Sequence, residues 1–366
     1  MRLTIPQPQL LRTLQVVEHA VNDRSTLPIL ANVLLETSDG ELTLTATDLD
    51  VGIQCRFPLV PPVEKGAVAL PARRLTTIIR ELPDEPVLLE AKKNHTATVT
   101  CGPSSFRIPG LPPEDFPALP PTHQDEQTRI SQGALKILIA KTSHAMSMEE
   151  TRFILNGALL TTQKNTLSIV ATDGRRLAVA SEELTSPGTQ PLQAIIPAKT
   201  MRELGRLLHD DDEEATLTLL KDNQLAVQFG TITVITRLVE GQFPAYEKVI
   251  PPPGKTSLTC ERTLLMNALR RTSLMTTASS QAVLFELGQN RLVISKESAE
   301  LGSAHEELAV AYAGGAMTVA FNPEFWLEAL KAIESSEVTI EVAGPDKPAV
   351  VRQPGFTYLV LPMKVS

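Results

Sequence analysis

The chain has 366 residues, a formal net charge of −8, and 42% hydrophobic against 21% charged residues. That length calls for roughly two to four domains, and the balance excludes a disordered or fibrous chain. The acidic total excludes a protein coated in basic residues, while leaving room for a local basic face.

The first predicted helix carries Leu10, Leu14, Val17 and Val21 at spacings of three and four. Two strands follow, 33–37 and 42–47, joined across Ser38-Asp39-Gly40. A second helix starts at Pro71-Ala72, because proline is tolerated where the helical N–H has no partner. A strand at 87–91 precedes a proline-rich connector, 111–127, expected to be extended and stiff. The same order then returns. Leu135, Leu138, Ile139 and Thr142 mark a helix, 157–162 and 166–172 two strands, Pro197-Ala198 a helix start, and 215–220 a strand. After a second connector, 242–255, Leu264, Leu265, Ala268 and Leu269 mark a third such helix. Strands 282–287 and 291–295, a helix start at Asn322-Pro323 and a strand at 338–342 complete the series.

The recurrence extends to residue identities. Ala46-Thr47-Asp48 returns as Ala171-Thr172-Asp173 and Ile29-Leu30 as Ile154-Leu155, both 125 residues on, and Phe116-Pro117 is echoed by Phe243-Pro244. A fixed period of this length means repeated structural units. Three domains are therefore expected, 1–121, 128–248 and 249–366, each an α+β unit with two helices packed on one face of an antiparallel sheet.

Charge is unevenly shared among the predicted elements. The six helical windows 7–22, 72–82, 132–146, 198–209, 261–276 and 323–334 hold 13 basic and 7 acidic residues, a net of +6, which leaves −14 elsewhere. A basic helical side and an acidic sheet side suit binding to duplex phosphates without reading sequence. Aromatic residues for stacking single-stranded bases are confined to Phe325 and Trp326 in the last helix.

Signals of other chemistry are weak. Cys55, Cys101 and Cys260 are odd in number and far apart, which suits a reducing cytoplasm rather than a disulfide framework. No signal-peptide pattern or apolar run long enough for a membrane span is read. Six scattered histidines lack metal-ligand spacing, and Asp210-Asp211-Asp212-Glu213-Glu214 reads as a charged turn. Gly254-Lys255-Thr256 ends a near match to a phosphate loop, which would make a nucleotide-dependent enzyme. Three preceding prolines remove the backbone donors such a loop needs. No cofactor, metal or catalytic residue is expected.

With the repeat in place, a set of segments resembles one family. Arg24-Ser25-Thr26-Leu27-Pro28-Ile29-Leu30, Leu155-Asn156-Gly157, the run from Ala171 to Ala178, Val239-Glu240-Gly241-Gln242-Phe243-Pro244 and Leu361-Pro362-Met363 are similar to the β subunits of bacterial DNA polymerase III, the replicative sliding clamps. The resemblance implies a head-to-tail homodimer of six domains, with sheets outside and helices around duplex DNA. It also implies partners: the polymerase α subunit, the clamp loader and other proteins carrying a clamp-binding peptide. By resemblance, Arg24, Arg73, Arg152, Phe153, Ile154 and Lys199 face DNA. Arg80, Lys136, Lys141, Arg202 and Arg206 are additions from their helical placement. A partner-peptide groove is implied with Leu155, Leu177, Pro244, Val249, Leu359, Leu361, Pro362 and Met363 as apolar floor. Its polar and basic rim is Thr172, Gly174, Arg175, Arg176, Lys248, Asn322 and Lys364. Phe106 and Ile108 are implied to meet Leu274 and Met275 at the joint between protomers. Met148-Glu149, Ala198, Arg175 and Ser280 depart from the family's usual residues, and Glu149 is expected to repel phosphate.

Overall fold

The computed structural model describes residues 1–122, 127–188 and 191–364, so His123 and part of the first connector lie outside the described residues. The described residues form six helices: α1 (Gln7–Val17), α2 (Ala72–Glu81), α3 (Gln132–Thr142), α4 (Ala198–Leu207), α5 (Arg262–Ser273) and α6 (Pro323–Ala332). Each lies within a predicted window, but α1 ends at Val17, so Val21, expected on that helix, falls beyond it. Each follows directly on a short strand or, for α6, on Asn322, whose side chain accepts the Glu324 N–H and caps the first turn.

The chain divides into two compact units. The first comprises 1–133, 185–190 and 206–238 and is built on two antiparallel sheets. One has the order Arg2–Pro6, Pro86–Ala91, Thr96–Cys101, Ser104–Pro109. The other has eight strands, in the order Gly66–Pro71, Asn32–Ser38, Glu41–Thr47, Val51–Pro58, Ile232–Arg237, Gln224–Phe229, Glu214–Leu220, Thr128–Ser131. Helices α1 and α2 pack against each other and bury Leu10, Leu14, Val17, Leu75 and Ile79.

The second unit comprises 134–184, 191–205 and 239–366. Its nine-stranded sheet runs Gln193–Pro197, Gly157–Gln163, Thr166–Thr172, Arg176–Glu183, Phe356–Val360, Ala349–Gln353, Glu337–Val342, Ser257–Glu261, Ala311–Tyr312. Its four-stranded sheet runs Gly302–Ala309, Arg291–Ser298, Val283–Gly288, Met317–Phe321. Helices α5 and α6 pack together over a core that includes Trp326, Phe321 and Phe285.

Two expectations change. Each repeat was expected to own one sheet, yet its strands are shared between two, and both large sheets run from one repeat into the next. In the first, Val51 faces Thr236, Ile53 faces Val234 and Cys55 faces Ile232. In the second, Arg176 faces Val360, Ala178 faces Tyr358 and Ala180 faces Phe356. Pairing the edges satisfies backbone groups that an isolated repeat would leave open. The connectors, expected to be extended, each contain a turn of 3₁₀-helix, Pro113–Asp115 and Tyr246–Val249, in which Phe116 accompanies one and Phe243 the other as buried anchors.

Candidate functional site

With helix limits fixed by the structure, the six helices hold thirteen basic and four acidic residues, a net of +9. The excess exceeds the sequence-based figure because Glu18, Glu261 and Glu334 fall outside the helical spans. In the first unit Arg73, in the first turn of α2, is 76% exposed and ion-pairs with Asp23, while Arg24 on the neighbouring turn is exposed and meets no acid among the described residues. Arg73, Thr76, Thr77 and Arg80 line one wall of a cleft of about 380 Å³, with Glu18 and His19 opposite. Lys199 holds the equivalent place in the first turn of α4 and is half-buried.

In the second unit the turn after Thr172 is fixed by short-range bonds. Thr172 Oγ1 donates to the Arg176 carbonyl (2.6 Å) and accepts the Gly174 N–H (3.0 Å), and Asp173 Oδ1 accepts the N–H groups of Arg175 and Arg176. Gly174 has φ +84°, a backbone conformation that favours glycine, and a Cβ there would stand 3.2 Å from Arg152 Nη1. Arg152 donates to the Asp173 carbonyl (2.9 Å) and pairs with Glu149 (3.1 Å). Glu149 thus neutralises the nearest arginine, and Arg152, expected to face DNA, braces this turn in the structure. Phe153 beside it is 61% exposed, whereas Ile154 leans on an apolar cluster.

That cluster contains Leu177 and Leu359, which face each other across the sheet, with Leu159, Val170, Ile195, Phe243 and Val350. Leu177 and Leu359 are fully packed, so they lie beneath the surface of the expected groove rather than on it. The half-buried Leu155 packs on them. Val249, Leu361 and Met363 are 57%, 41% and 36% exposed, apolar area whose removal from water is favourable. Pro244, Lys248, Arg175 and Lys364 are exposed, and Thr172, Asn322 and Pro362 half-buried.

Arg176 is a correction to the expected rim. Its side chain is 8% exposed, paired with Asp173 (3.1 Å) and Glu328, and stacked 4.4 Å over the Phe325 ring. A buried guanidinium with two carboxylates and an aromatic face is a structural pin. The sequence reading missed its partners Phe325 and Glu328, and also Tyr358, whose hydroxyl donates to the Phe325 carbonyl (2.8 Å). Burial pushes the Tyr358 hydroxyl well above its ordinary range. His144 lies against Tyr358, ring centroids 5.4 Å apart, with no partner for Nε2 among the described residues. Burial, reinforced by the Arg176 charge, lowers its pKa to about 4, so the ring is neutral at physiological pH.

Comparison with known proteins decides the family. Family models for the DNA polymerase III beta subunit match end to end: the N-terminal domain at residues 1–120, the central domain at 129–245 and the C-terminal domain at 247–364. The chain belongs to the DNA polymerase III beta subunit family. Its function is that of a sliding clamp, a processivity factor of DNA replication. The beta sliding clamps of Pseudomonas putida and Pseudomonas aeruginosa are 33% and 34% identical to it, over the whole of both chains. The crystal structure of a P. aeruginosa sliding clamp bound to griselimycin superposes with TM-score 0.95 over all of both chains, at 34% identity. A Bacillus subtilis sliding clamp superposes at 0.94, with 27% identity and full coverage of both.

The nucleotide-loop alternative fails on structure as well. Gly254 donates its N–H to the Glu341 carboxylate (3.0 Å), and Thr256 leads into the strand Ser257–Glu261, not into the helix that a phosphate loop opens. Among the described residues no three His, Cys, Asp or Glu side chains gather as a metal site, and no helix is long and apolar enough to cross a membrane.

Proposed function

We propose that two copies of this chain close head to tail into a ring around duplex DNA, and that the observation carrying this reading is the repeat's own edge pairing. In both internal joints the fourth strand of one repeat pairs with the last strand of the next. Two edges of the same kind are left over: Ser104–Pro109, the last strand of the first repeat, and Gly302–Ala309, the fourth of the third. The hairpin registers align these edges. Glu41 faces Pro58, Thr166 faces Glu183 and Arg291 faces Ala309, while Phe229 faces Ile232, Gln353 faces Phe356 and Cys101 faces Ser104. Carried over, the internal register sets Ile108 opposite Gly302, Phe106 opposite Ala304 and Ser104 opposite Glu306 of the second copy. Phe106 then takes the place that Val234 and Tyr358 fill internally, both fully buried. Ile108 is already packed within its own repeat, whereas Leu274, at the end of α5, is 70% exposed and Met275 half-buried beside it. A heterologous joint that closes in this way yields a ring, with the domains 1–121, 128–248 and 249–366 counted twice.

In the ring the basic helices face double-stranded DNA through phosphates, with Arg24, Arg73 and Lys199 as contacts and Arg152 acting through the turn it braces. Enclosure does the holding, so contacts stay weak enough to slide. The Leu155, Val249, Leu361, Met363 surface receives linear peptides of the polymerase α subunit, the clamp loader and other clamp-binding proteins. The chain acts in the cytoplasm, without membrane attachment, cofactor or catalysis of its own. Loaded by a clamp loader onto nicked circular duplex, the protein should survive gel filtration in high salt and be lost when the circle is cut. Equal retention on linear and circular DNA, or a particle without a central opening, overturns the reading.

A further inference from the structure

Beside the proposed groove lies a basin of about 760 Å³ bordered by Ser279, Ser280, Gln281, Lys296, Met363 and Lys364. Lys296 is unusual in it. The side chain is on the strand Arg291–Ser298, and the residue is only 7% exposed, yet among the described residues its ammonium has one polar partner, Ser280 Oγ at 2.7 Å. Burying an ammonium normally demands a carboxylate and several hydrogen bonds. Here two of its three donors are left without an acceptor among the described residues. Ser280 itself is fixed, because its N–H and carbonyl both bond across the turn to Thr277.

The other charges around the basin set its preference. Glu286 and Glu297 also border it, but both are exposed, and Glu286 accepts from Ser295 Oγ rather than from Lys296. Lys364 and His305 border the basin as well, so its rim is mixed in charge, and a singly charged carboxylate matches the one buried ammonium better than a polyanion such as phosphate. The basin is also continuous with the groove. Met363 and Lys364 border it, and Gln281 on its wall accepts from Asn322 of the groove rim (3.4 Å).

We propose that this basin is a carboxylate-binding extension of the partner groove, in which Lys296 and Ser280 receive an acidic side chain flanking the apolar anchors of a bound peptide. The inference rests on the groove reading above. Charge-assisted bonds to a desolvated ammonium are among the stronger polar contacts, so one acidic residue in the right place should tighten binding about tenfold.

The test uses fluorescein-labelled peptides with fixed Leu and Phe anchors, in which a single Glu or its Gln counterpart is walked through the flanking positions. Affinities for the full-length protein are read by anisotropy. At one position the Glu peptide should bind about tenfold more tightly than the Gln peptide. In Lys296→Met that ratio should fall to within twofold, while the Gln peptide keeps its affinity. Ser280→Asp, a change in an exposed turn that sets a carboxylate beside Lys296, should abolish the ratio equally and covers the case in which Lys296→Met fails to fold. Ratios near one throughout, or a tenfold ratio that survives both substitutions, overturn the proposal. If no peptide of either series binds, the groove reading itself has failed and the extension falls with it.

Discussion

Phe106→Ala should turn a tight dimer into a weak one without harming the fold. Phe106 is 39% exposed in the single chain, and the residues at the equivalent place in the two internal joints, Val234 and Tyr358, are fully buried. A phenylalanine offers roughly 200 Å² in all, so closing the joint covers about 80 Å² more of it. At about 25 cal/mol per Å², that contributes about 2 kcal/mol per joint. A ring of two chains has two such joints, which makes about 4 kcal/mol, or about three orders of magnitude in the dimer dissociation constant. Sedimentation velocity across a concentration series reads this directly, and thermal unfolding at low concentration checks that the separated chain is intact. An unchanged dissociation constant would refute the register argument. So would a loss of stability in the monomer comparable to the loss in dimerisation, since it would mean that Phe106 packs within its own repeat.

His144 should make stability depend on pH. Its pKa is lowered from 6.5 in the unfolded chain to about 4 in the fold, chiefly by burial. The neutral ring therefore contributes fully above pH 6.5, and the contribution is lost as pH falls from 6.5 through 4, by about 3 kcal/mol in total. Urea unfolding of the native chain against His144→Leu should show the extra slope in that window only for the native chain. Leu361→Ala with Met363→Ala, both at exposed positions, should weaken peptide binding about tenfold or more and leave the melting temperature within a degree or two. Calorimetry with an anchor peptide checks the first effect and a thermal scan the second.

The helices were legible because their apolar residues recur at three and four and the starts of α2, α4 and α6 carry proline. The strands Arg2–Pro6, Thr128–Ser131 and Ser257–Glu261 were not recognised. At four or five residues each, their alternation is too brief to stand out from the helix that begins at the next residue. The sharing of sheets between repeats was also hidden, since register between residues such as Ile53 and Val234 leaves no local mark. The same holds around Arg176. Its basic charge in a turn reads as a groove rim, and only the fold brings Glu328, 152 residues away, and the Phe325 ring to it. Thr172 and Gly174 were named as groove rim by resemblance alone; the turn they fix through bonds within four residues, and the distant packing around Arg176, both came from the fold.

The ladders that cross from repeat to repeat have a consequence for how such a chain came to exist. Each internal joint is fastened by five residue pairs and an apolar seam, to which the connectors add only single anchors such as Leu119 at the first and Phe243 at the second. A lone ancestral repeat would already have carried both halves of the fastener, one on each side. Six separate copies could have assembled before any gene fusion, and the covalent connectors then served to fix the order of the parts and to lower the entropy of bringing them together.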